Sequence, residues 1–231
     1  SLPVLADTDP ATLNIDPASI APRITDRTRA VVPVHIFGLP CDMDPIMELA
    51  RARGLRVIED CAQAHGARYK GRSVGSIGDI GAWSFCQDKI MTTGGEGGMV
   101  TTNDKALWLK MWAYKDHGKS YDAVYHREHA PGFRWLHESF GTNWRMMEMQ
   151  AVIGRIQLKR MPDWTAKRQA NAAKLAQSLG KFACIRLVDV PDYIEIDHAK
   201  FTGAQGFLTT ATVAVMPPPP RRFSTSTLCF H

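Results

Sequence analysis

The segment AVVPVHIFGLPCDMDPIMELARARGLRVIED, residues 30–60, decides the fold because a strand pattern, a helix pattern and a second strand pattern follow one another in it. Its first part is β-branched and apolar, as in a buried strand. Asp42 or Asp44 can cap the helix that follows, and Gly54 ends it. Residues 55–58 form the second apolar strand. Strand, helix and strand within about 30 residues predict a βαβ unit, and therefore a parallel sheet with a right-handed crossover.

Further strands are predicted after this unit, and together they define one edge of the sheet. Asp60 falls at the carboxyl end of the second strand, where open α/β sheets bind their ligands. The glycines of residues 64–78 predict turns and a short hairpin. Residues 80–85 form a third apolar strand, and residues 98–102 a fourth.

The second half of the sequence is predicted to be mainly helical. Asn103 or Asp104 caps a helix that ends near Gly118. Residues 119–141 show little periodicity and are predicted to form a long surface loop. Two amphipathic helices are expected next, over residues 144–158 and 164–179, with Pro162 interrupting them.

Composition favours a soluble cytoplasmic protein with one substantial core. The chain has 231 residues, of which 45% are hydrophobic, and no apolar run is long enough to span a bilayer. The net charge is +5, but Lys and Arg are scattered, so a phosphorylated small molecule or a charged partner subunit is favoured over nucleic acid or membrane. The five cysteines show neither a CxxC pair nor a metal-ligand spacing, which predicts reduced thiols and no metal site.

Lys89 is the residue whose surroundings indicate chemistry. It follows the apolar strand 80–85 and precedes the glycine-rich turn 92–98. Asp60 ends the neighbouring strand. Pyridoxal phosphate (PLP) needs a lysine to form a Schiff base and a carboxylate to keep its pyridine nitrogen protonated, so this pattern predicts a PLP site.

Several motifs, in the same order and spacing, carry a resemblance to a known family. They are Glu59-Asp-Cys-Ala-Gln-Ala-His-Gly-Ala67, Gly78-Asp-Ile-Gly-Ala-Trp-Ser-Phe85, Lys89, Thr93-Gly-Gly-Glu-Gly-Gly98 and Asn143-Trp-Arg-Met146. The sequence resembles the DegT/DnrJ/EryC1/StrS family of PLP-dependent sugar aminotransferases, which have the aspartate aminotransferase fold. The resemblance implies an α/β large domain with a mostly parallel sheet.

The resemblance also implies roles for five residues. Lys89 matches the Schiff-base lysine, and Asp60 the aspartate that pairs with the pyridine nitrogen. Gln63 matches a glutamine beside the ring and its 3-hydroxyl, and Ser84 a serine that hydrogen-bonds the cofactor phosphate. Asn143 matches an asparagine that reaches the phosphate of the partner subunit in a homodimer. As a plain alternative, Asn143 is equally predicted to be a helix N-cap.

Other chemically tempting residues are interpreted as structural. His35 and His65 are expected to be packed or surface histidines rather than general acids. Cys86 lies near Lys89 but is predicted to be a small packing residue. The methionines at 146, 147 and 149 are predicted to lie in the core or in a dimer interface.

The chain is shorter than members of the family. We expect residues 1–180 to form a partial PLP-binding large domain with its following helices, without the N-terminal part that supplies a phosphate-binding turn. Residues 181–231 are expected to begin a small C-terminal domain that stays incomplete, with a truncated or disordered tail. Four consecutive prolines, 217–220, exclude a helix or a central strand there.

The predicted activity is transfer of an amino group from glutamate or glutamine to a keto-sugar nucleotide, for polysaccharide, lipopolysaccharide or antibiotic sugar synthesis. One alternative is a catalytically incomplete fragment or sugar-binding regulator of the same fold. Another is a PLP-dependent sugar dehydratase, but the resemblance implies that those enzymes carry histidine in place of Lys89.

Overall fold

The computed structural model describes residues 2–129, 131–132, 137–182, 187, 190–191 and 194–195, and the backbone of 212–215. The strands are β1 (Leu2–Leu5), β2 (Thr28–Val32), β3 (Arg56–Asp60), β4 (Arg68–Tyr69), β5 (Arg72–Ser73), β6 (Ile80–Ser84), β7 (Gly98–Thr101), β8 (Ile194–Glu195) and β9 (Thr212–Val215). The α-helices are α1 (Pro17–Ile20), α2 (Met43–Arg53), α3 (Lys105–Lys115), α4 (Tyr121–Tyr125) and α5 (Glu148–Leu179), with 3₁₀ turns at Ala21–Arg23 and Ile36–Gly38.

The main sheet has six strands in the order β1-β9-β2-β3-β6-β7. Its centre is parallel: β2 pairs with β3, and β3 pairs with β6 in a register that sets Asp60 opposite Ala82. The flanking pairs, β1 with β9, β9 with β2 and β6 with β7, are antiparallel. The predicted α/β class and the βαβ unit β2-α2-β3 are confirmed. The predicted hairpin forms as β4 and β5, which β8 extends into a second, three-stranded sheet.

Helix α2 shows how the sequence builds the core. Asp42 flanks its start in extended conformation, and Gly54 ends it with φ of 63°. A left-handed residue at a helix end suits glycine, which has no Cβ to clash. Ile46 and Ala50, one helical turn apart, are completely or almost completely buried against the sheet. They belong to the main hydrophobic core, which also contains Val31 and Val57 of the parallel strands.

The helical half differs from the sequence prediction in two places. One continuous helix, α5, replaces the two predicted helices and contains Pro162. The proline leaves the Leu158 carbonyl without its helical donor, but both residues are exposed, so water can satisfy that carbonyl. The predicted loop of residues 119–141 contains the short helix α4, whose first turn is capped by the Ser120 hydroxyl accepting from Ala123 N.

The C-terminal region is described only in part. The sequence showed no regular element near residues 209–216, whereas the structure has strand β9 there, between β1 and β2. The proline run and the rest of the expected tail lie outside the described residues, so the division at residue 180 stays a prediction. Among the described helices, not one combines the length and apolar character needed to cross a membrane.

Candidate cofactor site

Two of the predicted site residues end neighbouring parallel strands. Asp60 is the last residue of β3, and Ser84 is the last residue of β6. Because the register sets Asp60 opposite Ala82, Ser84 extends just beyond it at the same carboxyl edge. Cys61 N donates to the Ala82 carbonyl at 2.8 Å, which holds the two chain segments together where they leave the sheet. The structure thus brings Asp60 and Ser84 to one edge.

Lys89 lies on the loop that leaves this edge after β6 and returns to it as β7. Phe85 N donates to the Gly97 carbonyl at 2.8 Å, and Thr93 N to the Phe85 carbonyl at 3.3 Å, so both ends of the loop are tied together. Lys89 N closes a turn onto the Cys86 carbonyl at 3.1 Å. The Lys89 side chain is half-buried. Its position next to the edge that carries Ser84 follows from this loop closure.

Helix α5 fixes the glycine-rich part of the same loop from outside. The Gln157 side chain accepts from Thr92 N at 2.8 Å, and the Gln150 side chain donates to the Glu96 carbonyl at 2.7 Å. Gly97 is needed for the packing, because a Cβ there would lie 2.4 Å from the Thr93 hydroxyl oxygen. Sequence reasoning missed both glutamines, since nothing local pairs a residue of α5 with a loop more than fifty positions earlier.

Gln63 is joined to the edge through the segment that follows β2. Its side-chain oxygen accepts from Phe37 N at 2.8 Å. Phe37 has φ of 54°, a left-handed conformation that is unusual and strained for an aromatic residue. Asp60 accepts from Ala62 N at 3.0 Å through one carboxylate oxygen, which turns the chain between the two site residues. Since the Gln63 oxygen is used by Phe37, its amide nitrogen is left to donate.

A buried polar network lies directly before Asp60, and sequence reasoning also missed it. The carboxylate of Glu59 is completely buried and accepts from Gly75 N, Ile77 N and Gly78 N at 2.8, 2.8 and 2.7 Å. His35 Nε2 lies 3.1 Å from the same carboxylate. Burial alone would raise the pKa of Glu59, but the His35 contact and the backbone donors outweigh it and hold that pKa below its ordinary value.

The other tempting side chains have structural surroundings. His65 is buried with its ring 5.5 Å from that of Trp83 and 5.9 Å from that of Phe85, which confirms the packed interpretation. His35 is likewise buried, as expected. Cys86 donates from Sγ to Asp88 Oδ1 at 2.6 Å. That hydrogen bond, and then the positive charge of Lys89, lower the pKa of Asp88.

The contacts of Asn143 are with the segment after α3 and with Arg145. It forms an isolated antiparallel bridge with Asp116 just after α3, and its side-chain oxygen accepts from Arg145 Nε at 3.2 Å. The N-cap position of α5 is Met147, so the prediction that Asn143 caps this helix was wrong. Asn143 is exposed instead, next to the exposed side chains of Trp144 and Met147.

The residues at the edge fit PLP. A carboxylate, an amine, a hydroxyl and a glycine-rich backbone are the groups that the cofactor's ring nitrogen, aldehyde and phosphate require. Thr93 adds a buried hydroxyl that has no hydrogen-bond partner within the described part of the chain. Unpaired buried hydroxyls are rare, and one on the same loop as Lys89 is consistent with a ligand contact.

The fold and the edge residues match those expected for a class of proteins, the PLP-dependent transferases. The chain belongs to the DegT/DnrJ/EryC1/StrS aminotransferase family, whose sequence pattern it matches over residues 1–204. This confirms the resemblance and, with it, PLP as the cofactor of the family.

Solved and curated relatives agree with this assignment. The X-ray structure of an aminotransferase from Psychrobacter cryohalolentis superposes with a TM-score of 0.79 and 66% identity, over 84% of this chain and 51% of that one. A GDP-perosamine synthase from Caulobacter vibrioides is 44% identical over 78% of this chain and 45% of its own length. A dTDP-3-amino-3,4,6-trideoxy-alpha-D-glucose transaminase from Streptomyces venezuelae is 38% identical over 80% of this chain and 46% of its own length. The chain thus spans about half the length of these proteins.

Proposed function

We propose that this chain forms the cofactor-binding part of a PLP-dependent aminotransferase that acts on a keto-sugar nucleotide, with glutamate or glutamine as amino donor. The observation that carries the proposal is the placement of Lys89 on a closed loop at the sheet edge shared by Asp60 and Ser84. The names of the relatives, a GDP-sugar enzyme and a dTDP-sugar enzyme, support the substrate class and leave the nucleotide open.

The proposed roles follow from the chemistry of each side chain. Bound PLP supplies an electron sink for the carbon that loses a proton. Lys89 Nζ would hold the cofactor through its aldehyde and, as a free amine, would carry a proton to and from the reacting carbon. Asp60 holds a proton on the pyridine nitrogen.

Gln63 and Ser84 are proposed to orient the cofactor rather than to react. The Gln63 oxygen is occupied by Phe37 N, so its amide nitrogen donates towards the 3-hydroxyl oxygen of the ring. The Ser84 hydroxyl, at the strand end beside the Lys89 loop, donates to the phosphate. The product amino sugar would serve polysaccharide, lipopolysaccharide or antibiotic synthesis in the cytoplasm, where the free thiols of Cys41, Cys61 and Cys86 stay reduced.

The experiment that tests this function is replacement of the anchoring amine. Lys89→Ala should abolish the visible absorbance of protein-bound PLP and the transfer of an amino group from glutamate to keto-sugar nucleotides. Lys110→Ala, an exposed lysine of α3, is the matched control and should leave both unchanged. Visible absorbance that survives Lys89→Ala would refute the assignment, and a wild-type chain that shows none would favour the regulator alternative.

We further propose that the enzyme is a homodimer in which Asn143 contacts the PLP phosphate of the partner subunit. Asn143 is exposed beside a group of exposed apolar side chains, which a second subunit would bury. These are Phe140, Trp144, Met147, Met149, Val152, Ile153 and Ile156.

Sedimentation of paired variants tests the dimer. Met149→Asp with Val152→Asp should shift the protein from dimer to monomer, whereas Lys174→Asp, a charge change at an exposed position of α5, should not. Asn143→Ala should weaken PLP binding without dissociating the subunits. An Asn143→Ala dimer with unchanged PLP affinity would overturn the cross-subunit contact.

A further inference from the structure

The buried pair of Glu59 and His35 lies immediately behind the residue proposed to hold the ring nitrogen. Successive side chains of a strand point to opposite faces, so Glu59 and Asp60 leave β3 on opposite sides. Glu59 therefore cannot contact a ligand held by Asp60, and both Glu59 and His35 are completely buried. Their effect on the site must pass through the chain that they hold.

Glu59 fixes the turn that leads into β6. Its carboxylate accepts three backbone N–H groups, those of Gly75, Ile77 and Gly78, at 2.7–2.8 Å. Charge-assisted bonds of this kind are the stronger class of protein hydrogen bond. The turn that they hold is followed within two residues by β6, the strand that ends in Ser84. One carboxylate thus sets where the neighbouring strand begins.

His35 fixes the segment on the other side of Asp60. Its Nδ1 accepts from Cys41 N at 3.0 Å, so that atom is unprotonated and Nε2 carries the proton donated to Glu59 at 3.1 Å. The backbone N–H of His35 donates to the Asp60 carbonyl at 3.1 Å, and Asp60 N donates to the Pro33 carbonyl at 2.9 Å. The backbone of Asp60 is thus held directly by the segment that His35 anchors.

A metal site is the rival interpretation of the same atoms. His35, Glu59 and Cys61 offer ligand atoms that all lie within 4.8 Å of one another. Both Glu59 oxygens and both His35 ring nitrogens already have hydrogen-bond partners. Burial raises the pKa of the Cys61 thiol, which opposes the thiolate that a metal needs. The saturated contacts favour positioning over metal binding.

We propose that His35 and Glu59 are positioning residues that hold the Asp60 carboxylate in place for the ring nitrogen of PLP. The inference rests on the proposed function. A carboxylate serves a ring nitrogen only within hydrogen-bond distance, and displacements well below 1 Å at such a contact matter. The hydrogen bond from His35 to Glu59 links the two segments that flank Asp60. Its loss would therefore displace the Asp60 carboxylate.

Graded substitutions of His35 test the link. His35→Gln can keep a donor towards Glu59, whereas His35→Asn can keep the acceptor for Cys41 N but is too short to reach Glu59. His35→Leu removes both hydrogen bonds. We expect His35→Asn and His35→Leu to weaken PLP binding about tenfold or more, by analogy with the loss of residues that orient metal ligands, and to shift the visible absorbance maximum. His35→Gln should keep the PLP affinity and the absorbance maximum close to those of the wild-type chain.

The measurements separate positioning from folding. PLP affinity and the absorbance maximum are recorded at a temperature where circular dichroism shows each variant folded, and His35→Asn stands in if His35→Leu fails to fold. Variants that melt earlier but bind PLP with wild-type affinity and spectrum would overturn the positioning role alone. A wild-type chain that fails to bind PLP through Lys89 would instead overturn the proposed function and this inference with it.

Discussion

The parallel sheet and the helical arm, residues 105–179, use apolar residues in different ways. In α2, Met43, Ile46 and Ala50 are buried against the strands. In α3 no residue is buried, and α5 buries only Gly154 and Ala172 among its 32 residues. The sheet region therefore completes its core within the described chain, whereas α3 and α5 leave most of their apolar residues partly or fully exposed. Such a surface is typical of a subunit or domain interface.

The exposed residues of the arm follow the helical repeat. Met149, Val152, Ile153 and Ile156 recur at spacings of three and four, so they form one stripe on α5. The adjacent face of the same helix holds the glycine-rich loop through Gln150 and Gln157, and Ile153, at the edge of the stripe, lies close to Gly94 of that loop. A partner bound to the stripe would therefore contact the same helix that holds the loop carrying Lys89. The difference between the two regions suggests that stability comes from the sheet and assembly from the arm.

The largest effect is expected from truncating a side chain in the sheet region. Ile46→Ala removes a completely buried side chain from the face of α2 that packs on the strands. Loss of buried contacts and the cavity left behind should lower the free energy of unfolding by about 2–5 kcal/mol. Urea denaturation followed by circular dichroism measures this. An effect below roughly 1 kcal/mol would show that the core is not the source of stability.

A smaller effect on the free energy of unfolding is expected from acidification, and its source should again be a side chain of the sheet region. The pKa of Glu59 is lower in the folded chain than its ordinary value, so the folded state favours its ionised form. The resulting stability is fully present above the ordinary glutamate pKa and is lost as the pH falls through the lower, folded value. The urea midpoint should therefore decrease between pH 6 and pH 3.

Two variants assign this acid effect to Glu59. Glu59→Gln should be less stable at pH 6 and should lose part of the decrease between pH 6 and pH 3. Asp44→Asn is the control: the hydrogen bond from Lys70 lowers the pKa of Asp44, but the pair is exposed and contributes little. If Asp44→Asn flattened the pH dependence as much as Glu59→Gln, the buried network would not be the cause.

How much the sequence predicted depended on the range of the interactions involved. The βαβ unit and the caps at Asp104 and Gly54 are local patterns and were confirmed. The placement of Asp60 and Ser84 at strand ends, with Lys89 on the loop after β6, also depends on local patterns. The contacts of Glu59 with residues 75–78 join segments that are distant in sequence, and no periodicity in the sequence predicts them. The prediction that Pro162 interrupts the helix was wrong. The free-energy cost of a proline inside a helix is lower when the carbonyl that loses its donor is exposed to solvent.

The smallest effect on stability is expected from the matched substitution on the arm. Ile156→Ala makes the same chemical change as Ile46→Ala, but Ile156 is 48% exposed. In dilute solution, where the chain is monomeric, it should change the free energy of unfolding by less than about 0.5 kcal/mol, because little buried contact is lost. At concentrations where subunits associate, the same substitution should lower the apparent stability through weaker association. A large, concentration-independent loss would instead mean that the described chain itself covers this stripe, and the contrast between sheet and arm would fail.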